Sequence, residues 1–367
     1  MLSDLRLTRL ELAHFKNHRK AVFEFAPQLT CITGLNGSGK TNLMDAIYLL
    51  ALTKSRFLKS DSEVVEHNQP YYRVVGHFTL DGEALNIAAA YPQNGKKTFK
   101  VNGSVVERLA DHIGTIPVVF VNPDDIPLIK GPSEERRKFF DGMLSQADGI
   151  YLHNLLAFNK LLLQRNNLLA HFAERRYYDE ALLETYDEQI LTYSHALATR
   201  RRQAIAEFMP DFVRYYQRLA ESREVPEIVY QTQVLDEGFA QSYRAMRPRD
   251  VASGRTTLGP HRDEYELLMN RTPARKYGSQ GQQKTFLLSM KLAMATALQT
   301  RLGRKPLLLL DDILERFDHE RIQGLLALVA SGELGQVFIT EATGERLKRE
   351  IEAAGLGEEA AFIELEG

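Results

Sequence analysis

The feature that most constrains this chain is the stretch from Leu29 to Leu50, which reads LTCITGLNGSGKTNLMDAIYLL. An apolar run up to Thr33 predicts a strand, a glycine-rich segment predicts a tight loop, and apolar residues at helical spacing predict a helix. The spacing G-x-x-x-x-G-K-[ST] lets backbone N–H groups surround a phosphate at the positive end of the following helix. The order strand, loop, helix therefore predicts a nucleotide-binding site, and the alternative is a plain glycine-rich turn between a strand and a helix.

Two side chains of this loop have predicted roles in binding a nucleoside triphosphate. Lys40 can reach the β- and γ-phosphates of ATP, and the Thr41 hydroxyl can ligate Mg²⁺. The predicted ATP-binding residues are Gly34, Leu35, Asn36, Gly37, Ser38, Gly39, Lys40, Thr41 and Asn42.

The composition limits the remaining function classes. The formal net charge is -2, so a polyanionic partner has to meet a local basic patch. The N-terminal segment is charged, and no apolar run approaches the ~20 residues of a membrane span, which predicts a soluble, cytoplasmic protein. Cys31 is the single cysteine, which excludes a disulfide or a cysteine-based zinc site within one chain.

Two regions differ in character from the nucleotide-binding stretch. Residues 71–106 predict antiparallel hairpins that form a small β-lobe, with turns at Asp81-Gly82, Asn94-Gly95 and Asn102-Gly103. From about residue 123 to 209 the pattern is helical, with leucines that recur every seven residues. This pattern predicts an arm of two long antiparallel helices, and it fits a coiled coil as well as an ordinary pair of bundle helices.

Four leucines followed by two aspartates, Leu307 to Asp312, predict a buried parallel strand with carboxylates at its C-terminal edge. If this strand lies beside the one that precedes Gly34, Asp311 can hold Mg²⁺ opposite Thr41, and Asp312 can polarise the attacking water. The alternative is a chance pair of aspartates that ends a strand. Strands and helices alternate through the final third, including a strand at 265–269, which predicts a mostly parallel sheet.

A second helix start has the features of a phosphate site. Ser279, Gln280, Gly281 and Gln282 open a long predicted helix and present a hydroxyl, backbone N–H groups and a positive dipole end. A single nucleotide pocket normally uses one phosphate loop, so this second start could face a nucleotide held by another subunit. Ordinary serine capping of a helix explains the same residues equally well.

Along the chain, the phosphate loop is followed by the helix start at Ser279, then by the leucine run that ends at Asp312, and then by Asp318. In this order the motifs resemble those of ABC-type ATPases that act on DNA. The segments Asn122–Pro132, Gln164–Asn166 and Gly259–Asp263 narrow the resemblance to the RecF family, and it covers essentially the whole chain. The implied fold class is α/β: an ABC-type P-loop ATPase head with a small antiparallel β-lobe and an inserted α-helical arm domain. The predicted domains are the N-terminal part of the head at 1–122, the arm at 123–249 and the C-terminal part of the head at 250–367.

The resemblance also implies a function in recombinational repair and at replication forks. ATP would drive head-to-tail dimerisation on double-stranded DNA near single-strand gaps, and slow, DNA-stimulated hydrolysis would release the dimer. Ser279, Gln280, Gly281 and Gln282 of one subunit would contact the γ-phosphate held by Lys40 of the other. The protein would be a molecular switch that, together with RecO and RecR, helps RecA to load.

The resemblance assigns three further positions. Asp318 matches the D-loop, Thr340-Glu341 lies near the switch, and Asn122 stands where a Q-loop glutamine would help to hold Mg²⁺. Residues 315–317 read Glu-Arg-Phe, where the family commonly has Ser or Ala followed by Glu-Leu. This departure leaves the intersubunit contacts of the D-loop open.

Several basic clusters are candidates for contacts with DNA phosphates, although each could also be an ordinary solvated face. They are Lys54, Arg56 and Lys59, then Lys96, Lys97 and Lys100, and Arg200, Arg201 and Arg202. Since no base-reading motif is present, we expect a largely sequence-independent DNA contact.

Three other classes of protein compete with this interpretation. A transporter-type ATPase subunit is disfavoured by the arm and by the lack of a Leu-Ser-Gly-Gly-Gln signature. An SMC-like structural ATPase would need far longer coiled coils. A P-loop kinase of small molecules would leave the segment Ser279–Gln283 unexplained.

Overall fold

The computed structural model describes residues 2–175, 178–220, 224–313 and 317–366. The chain forms two compact units, of which the first contains Met1–Asp125, Arg214–Arg223 and Lys284–Gly367. The second contains Ile126–Val213 and Glu224–Gln283. Residues 250–283 thus lie in the second unit, whereas the sequence-based limits place them with the head. The division into functional domains at 1–122, 123–249 and 250–367 stays a prediction.

Strands and helices are numbered in chain order within the described ranges. The strands are β1 (Leu5–Phe15), β2 (His18–Glu24), β3 (Leu29–Thr33), β4 (Tyr71–Leu80), β5 (Glu83–Pro92), β6 (Thr98–Val101), β7 (Ser104–Val105), β8 (Val118–Val121), β9 (Pro226–Gln231), β10 (Glu264–Met269), β11 (Thr272–Pro273), β12 (Leu307–Leu310), β13 (Val337–Glu341) and β14 (Ala360–Glu364). The helices are α1 (Lys40–Leu52), α2 (Asp61–Val64), α3 (Pro127–Lys130), α4 (Ser133–Ala147), α5 (Gly149–Arg175), α6 (Glu180–Ala220), α7 (Phe239–Ala245), α8 (Arg247–Ser253), α9 (Ala274–Tyr277), α10 (Gln280–Leu302), α11 (His319–Ala330) and α12 (Gly344–Ala353).

A parallel sheet in the first unit has the strand order β14-β3-β13-β12-β8. Every residue of β3, β8, β12 and β13 is buried, as expected for parallel strands covered on both faces. The conditional placement of β12 beside β3 is wrong, because β13 lies between them. Both strands are fully buried and contain a run of at least three apolar residues, so no local pattern distinguishes their positions. The edge strand β14 was not predicted, and its side chains are largely half-buried or exposed.

An antiparallel sheet in the same unit has the order β2-β1-β4-β5-β6-β7 and confirms the predicted hairpins of the β-lobe. Both residues of the turns Asp81-Gly82 and Asn102-Gly103 have positive φ, the conformation that type I′ turns require. Asn94-Gly95 lies in a longer loop between β5 and β6. A common core joins side chains from α1, this sheet and the parallel sheet, and Leu43, Leu50, Val74 and Leu309 belong to it.

Strand β10 belongs to a small antiparallel sheet of the second unit, with the order β11-β10-β9. The prediction that it joins the parallel sheet is therefore wrong. Its residues alternate between half-buried and buried, which is typical of an antiparallel strand with one covered face.

The two predicted long helices are α5 and α6, and they run antiparallel. Arg165 of α5 pairs with Asp187 near the start of α6, whereas Tyr151, earlier in α5, meets Arg201, later in α6. One of the two leucine series of α5 faces solvent, because Leu156 and Leu163 are 50% and 63% exposed. This exposure favours an ordinary helix pair over a coiled-coil seam along that face.

Two further features concern membrane-spanning helices and the environment of the single cysteine. None of the helices in the described ranges is both long and apolar enough to cross a bilayer. Cys31 is fully buried in β3, as expected for core packing, and burial raises the pKa of its thiol to about 12.

Candidate nucleotide-binding site

The loop between β3 and α1 has a backbone that requires glycine at defined positions. Gly34, Gly37 and Gly39 have φ angles of 150°, 89° and 103°. A Cβ on Gly34 would lie 2.6 Å from the carbonyl oxygen of Leu365, and one on Gly39 would lie 2.7 Å from Nε2 of His18. Gly34 and Gly39 therefore serve both backbone conformation and close packing, whereas a Cβ on Gly37 would meet open space and this glycine serves conformation alone.

The turn between β1 and β2 holds this loop from one side. The Nδ2 group of Asn17 donates to the carbonyl of Gly37 at 3.3 Å, and Nε2–H of His18 donates to that of Gly39 at 3.1 Å. Asn42 Nδ2 in turn donates to Asn17 Oδ1 at 2.7 Å. Burial lowers the pKa of His18, which keeps the ring neutral. No sequence motif predicts this role of Asn17 and His18, because the pairing of their side chains with the loop is a long-range contact.

Lys40 lies inside the curve of the loop. Its side chain is buried, and Nζ donates to the carbonyls of Gly34 at 2.8 Å and Leu35 at 3.1 Å. An ammonium group held in this place can exchange carbonyl contacts for phosphate oxygens without moving out of the loop.

Three side chains converge on the carboxylate of Asp311, which follows β12. Thr41 Oγ1 lies 3.1 Å from Oδ1 and 3.0 Å from Oδ2, Thr340 Oγ1 donates to Oδ1 at 2.8 Å, and Asn122 Nδ2 donates to Oδ2 at 3.0 Å. Thr340 stands on β13, the strand that separates β3 from β12. The structure thus brings Thr41, Asn122 and Asp311 together although β3 and β12 are not neighbours.

The electrostatics of this cluster favour a cation. Burial raises the pKa of Asp311, and the charge of the adjacent Asp312 raises it further, whereas the hydrogen bonds from Thr340, Thr41 and Asn122 act in the opposite direction. The net direction is upward, so the ionised carboxylate is not fully compensated by its neighbours. A bound cation would supply that compensation.

The donor set is suited to Mg²⁺. Carboxylate and hydroxyl oxygens are its usual ligands, and neighbouring ligands at ~2.1 Å in octahedral geometry are about 3 Å apart. The separation of Thr41 Oγ1 and Asp311 Oδ2 is 3.0 Å. Among the described residues no group of three or more histidine, cysteine or acidic side chains could hold a metal. Mg²⁺ at this place would therefore depend on phosphate oxygens as further ligands.

Asp312, the predicted water-polarising residue, has an unusual backbone. Its φ is 46°, in the left-handed region that aspartate and asparagine enter more readily than most residues. Its N–H donates to Thr340 Oγ1 at 2.9 Å. The same threonine therefore contacts both aspartates.

The second predicted phosphate site, at the start of α10, lies in the second unit. Gln282 N–H donates to Ser279 Oγ at 3.2 Å, and Ser279 N–H donates to Gln282 Oε1 at 2.6 Å, which is a capping box. The predicted serine cap is therefore present. Ser279 and Gln280 are exposed, and Gly281 and Gln282 are half-buried. A role of these residues in contacting ATP stays a prediction.

The predicted D-loop residue Asp318 caps α11 by accepting the N–H of Arg321 at 3.1 Å. Glu315 and Arg316, the departure from the family pattern, lie outside the described residues.

The basic candidates for DNA contacts divide into exposed side chains and side chains that form ion pairs. Lys54, Lys59, Lys96 and Lys100 are exposed. By contrast, Arg56 pairs with Asp125, and Lys97 Nζ lies 2.7 Å from Asp61. On α6, Arg202 is exposed, Arg200 pairs with Asp148, and Arg201 is buried between Asp141 and Asp263. The exposed lysines are thus the better placed candidates for phosphate contacts.

Comparison with known proteins agrees along nearly the entire chain. The family described as RecF/RecN/SMC N terminal domain matches residues 6–360. The "DNA replication and repair protein RecF" of Cytophaga hutchinsonii is 37% identical over 93% of this chain and 90% of that protein. The protein of the same name from Flavobacterium johnsoniae is 35% identical over 93% and 95% of the two chains.

Solved structures give the same result. A structure described as the recombination mediator protein RecF with ATPrS in the RecFOR pathway has a TM-score of 0.86 and 31% identity, and the match covers 93% of this chain and 94% of that one. An Smc head domain from Pyrococcus furiosus, at 19% identity and a TM-score of 0.54 over 95% and 92% of the chains, shares the fold. These matches confirm the predicted α/β ATPase-head fold class. The family match and the extent of these alignments show that the chain belongs to the RecF family of DNA replication and repair proteins.

Proposed function

We propose that this protein is an ATP-gated clamp on double-stranded DNA. ATP joins two copies head to tail near single-strand gaps, and hydrolysis releases them. ATP hydrolysis follows from membership in this ATPase family, and we propose further that it is slow and stimulated by DNA. The single observation that carries the proposal is the contact of Thr41 and Asn122 with the buried carboxylate of Asp311. It brings the phosphate loop and the acidic strand end together as an ATPase requires.

The chemistry follows from the side chains at this contact. Lys40 binds the β- and γ-phosphates, and Thr41 and Asp311, with Asn122, would hold Mg²⁺. When bound, Mg²⁺ neutralises charge on the phosphate oxygens. Asp312 orients and polarises the water that attacks the γ-phosphate. The slow rate is consistent with a switch rather than a metabolic catalyst.

The second copy completes the site in this proposal. Its Ser279, Gln280, Gly281 and Gln282 approach the γ-phosphate, and the Ser279 hydroxyl can donate its proton to a phosphate oxygen while its lone pair still caps α10. The exposure of Ser279 and Gln280 supports this role. Because the contact needs the γ-phosphate, ADP should not hold the dimer together.

DNA binding in this proposal uses the exposed lysines 54, 59 and 96. Contacts of lysine with phosphate are independent of sequence, and each weakens with added salt because counterions are released. The similarity to a RecF structure described as part of the RecFOR pathway supports RecO and RecR as partners in loading RecA. The family match over the whole chain supports this function over that of a transporter subunit.

The decisive experiment measures mass by light scattering with a non-hydrolysable ATP analogue and Mg²⁺, with and without duplex DNA. We expect about twice the 41.7 kDa of one chain with the analogue and a monomer with ADP. Lys40→Ala removes a charge-assisted contact to phosphate, so ATP affinity should fall about 100-fold and the dimer should not form.

The matched control is Lys138→Ala, which changes an exposed lysine of α4 paired only with Glu134 and Glu135 among the contacts described. It should dimerise like the wild type. Identical monomer masses under all conditions would contradict the proposed function.

A further inference from the structure

One half-buried carboxylate, that of Asp125, joins three parts of the first unit. Lys291 Nζ of α10 lies 2.7 Å from Oδ2, the guanidinium of Arg56 pairs with Oδ1, and the backbone N–H of Asn122 donates to Oδ2 at 3.2 Å. Two cations and one anion are thus held together with little exposure to solvent. Lys291 also donates to the carbonyl of Phe120 at 2.7 Å, which ties the group to β8.

On one side, Asp125 positions Asn122, whose side chain contacts Asp311 at the end of β12. The side chain of Asn122 accepts the N–H of Asp124 at 2.7 Å and donates to Asp311 at 3.0 Å. Because Asp125 accepts the backbone N–H of Asn122, hydrogen bonds fix the orientation of both the backbone and the side-chain amide of Asn122. Two hydrogen bonds in series therefore connect Asp125 to Asp311.

On the other side, Arg56 is the centre of the basic segment 54–59. Its backbone N–H donates to Asp45 Oδ1 at 2.7 Å, and its guanidinium lies 5.0 Å from the ring centre of Phe120. Asp45 belongs to α1, the helix of the phosphate loop. The segment is therefore anchored at two carboxylates, the buried Asp45 and the half-buried Asp125, while Lys54 and Lys59 on either side of Arg56 stay exposed.

We infer that Asp125 is a positioning residue through which the basic segment 54–59 sets the orientation of Asn122 at the Mg²⁺ end of the site. The link to DNA stimulation rests on the proposed function above. A polyanion bound at Lys54 and Lys59 pulls on a segment whose central arginine contacts Asp125, and Asp125 holds Asn122 directly. Lys291 extends the same connection to α10, roughly three turns from the helix start at Gln280.

The test separates binding of DNA from its effect on the site. Arg56→Met disconnects the segment from Asp125 but leaves Asp125 paired with Lys291. Lys59→Met removes a charge of the same segment that has no described contact with Asp125. We expect Arg56→Met to lower the maximal DNA stimulation of ATP hydrolysis at least fivefold, with the half-saturating DNA concentration changed about twofold or less.

Lys59→Met should do the opposite, raising the half-saturating DNA concentration severalfold while the maximal stimulation persists. Arg56→Lys keeps the charge beside Asp125, so it should restore at least half of the stimulation. It also serves as the second variant if Arg56→Met does not fold. If Arg56→Met changes only the DNA concentration needed, as Lys59→Met does, the inference is overturned.

A second readout does not depend on ATP hydrolysis or on DNA. Hydrogen exchange of the backbone amide of Asn122 in the nucleotide-free protein should be at least tenfold faster in Arg56→Met than in Lys59→Met. Equal exchange in the two variants overturns the inference. A wild type whose hydrolysis ignores DNA would instead contradict the proposed function, and the exchange measurement would still decide the role of Asp125.

Discussion

The starts of α1 and α10 were both predicted as phosphate-type helix starts, yet their first turns are built differently. Within the described residues, Gly39 precedes α1 in a left-handed conformation and supplies no side-chain cap. At α10, Ser279 and Gln282 cap each other reciprocally. An uncapped first turn inside a glycine loop leaves its N–H groups for a ligand. The first turn of α10 is capped by its own side chains, so what it offers a ligand is mainly the hydroxyl proton of Ser279.

The surroundings of the two helix starts differ in the same way. The α1 site is surrounded by its own chain, with Lys40 buried and Thr41 against Asp311. The α10 start keeps its serine accessible to an approaching molecule. We therefore expect changes near α1 to alter ATP chemistry, and changes at Ser279 to alter assembly without altering ATP binding.

The largest expected effect is on hydrolysis by Asp312→Asn. Asparagine tolerates the positive φ of this position, and the N–H contact to Thr340 is a backbone contact, so the substitution mainly removes the charge. We expect the hydrolysis rate to fall about 100-fold or more because water is no longer polarised. ATP binding should persist, so the dimer should accumulate when measured by light scattering with ATP. A variant that hydrolyses ATP at the wild-type rate would exclude Asp312 from that role.

The next effect concerns assembly and tests the α10 side of the comparison. Ser279→Asp keeps a good helix cap but replaces the hydroxyl donor by a negative charge. We expect normal ATP affinity, and a dimer dissociation constant at least about 100-fold higher, since two composite sites each lose a hydrogen bond to phosphate. Titration with a fluorescent ATP analogue and analytical ultracentrifugation measure the two quantities.

Ser279→Arg should behave in the same way by steric and helix-dipole effects, whereas Ser279→Thr is the control that retains the hydroxyl. If Ser279→Asp loses ATP binding as a monomer, Ser279 belongs to the pocket of its own chain and the comparison fails.

The smallest expected effect is on the stability of the nucleotide-free protein. Because the pKa of Asp311 is raised in the folded state, its contribution to stability is lost as pH rises through that pKa. Asp311→Asn removes this cost, so the variant should unfold a few degrees above the wild type at pH 7 without Mg²⁺. The difference should shrink as pH falls toward the ordinary aspartate pKa. Thermal unfolding at pH 7 and pH 5 measures it, and a less stable variant at pH 7 would contradict the expected sign.

What the sequence could predict depended on whether the determinant was local. The phosphate loop, the hairpin turns at Asp81-Gly82 and Asn102-Gly103, and the two aspartates after β12 are encoded in short segments. Backbone conformation at glycine and hydrophobic runs decide such features without help from the rest of the chain.

Strand order and side-chain partners were not predictable in the same way. β13 lies between β3 and β12 in the sheet. Because parallel strands are joined by long connections, the sequence of each strand does not specify which strand lies beside it. The contacts of Asn17 and His18 with the loop, and of Asp125 with Lys291, join residues far apart in sequence. The local sequence around these residues contains no motif that indicates such pairings.

The buried position of Cys31 has a practical consequence for following assembly. Its thiol is fully enclosed and, with a pKa of about 12, carries almost no thiolate at neutral pH. Maleimide dyes should therefore react with an introduced cysteine while the native one stays silent. Leu163, on the solvent-facing side of α5, is 63% exposed and lies outside the predicted ATP-binding residues, so it accepts such a reporter. Single-molecule energy transfer between one copy that carries a donor dye at this position and another that carries an acceptor dye would then time the joining and parting of two copies in a protein whose native cysteine remains in place.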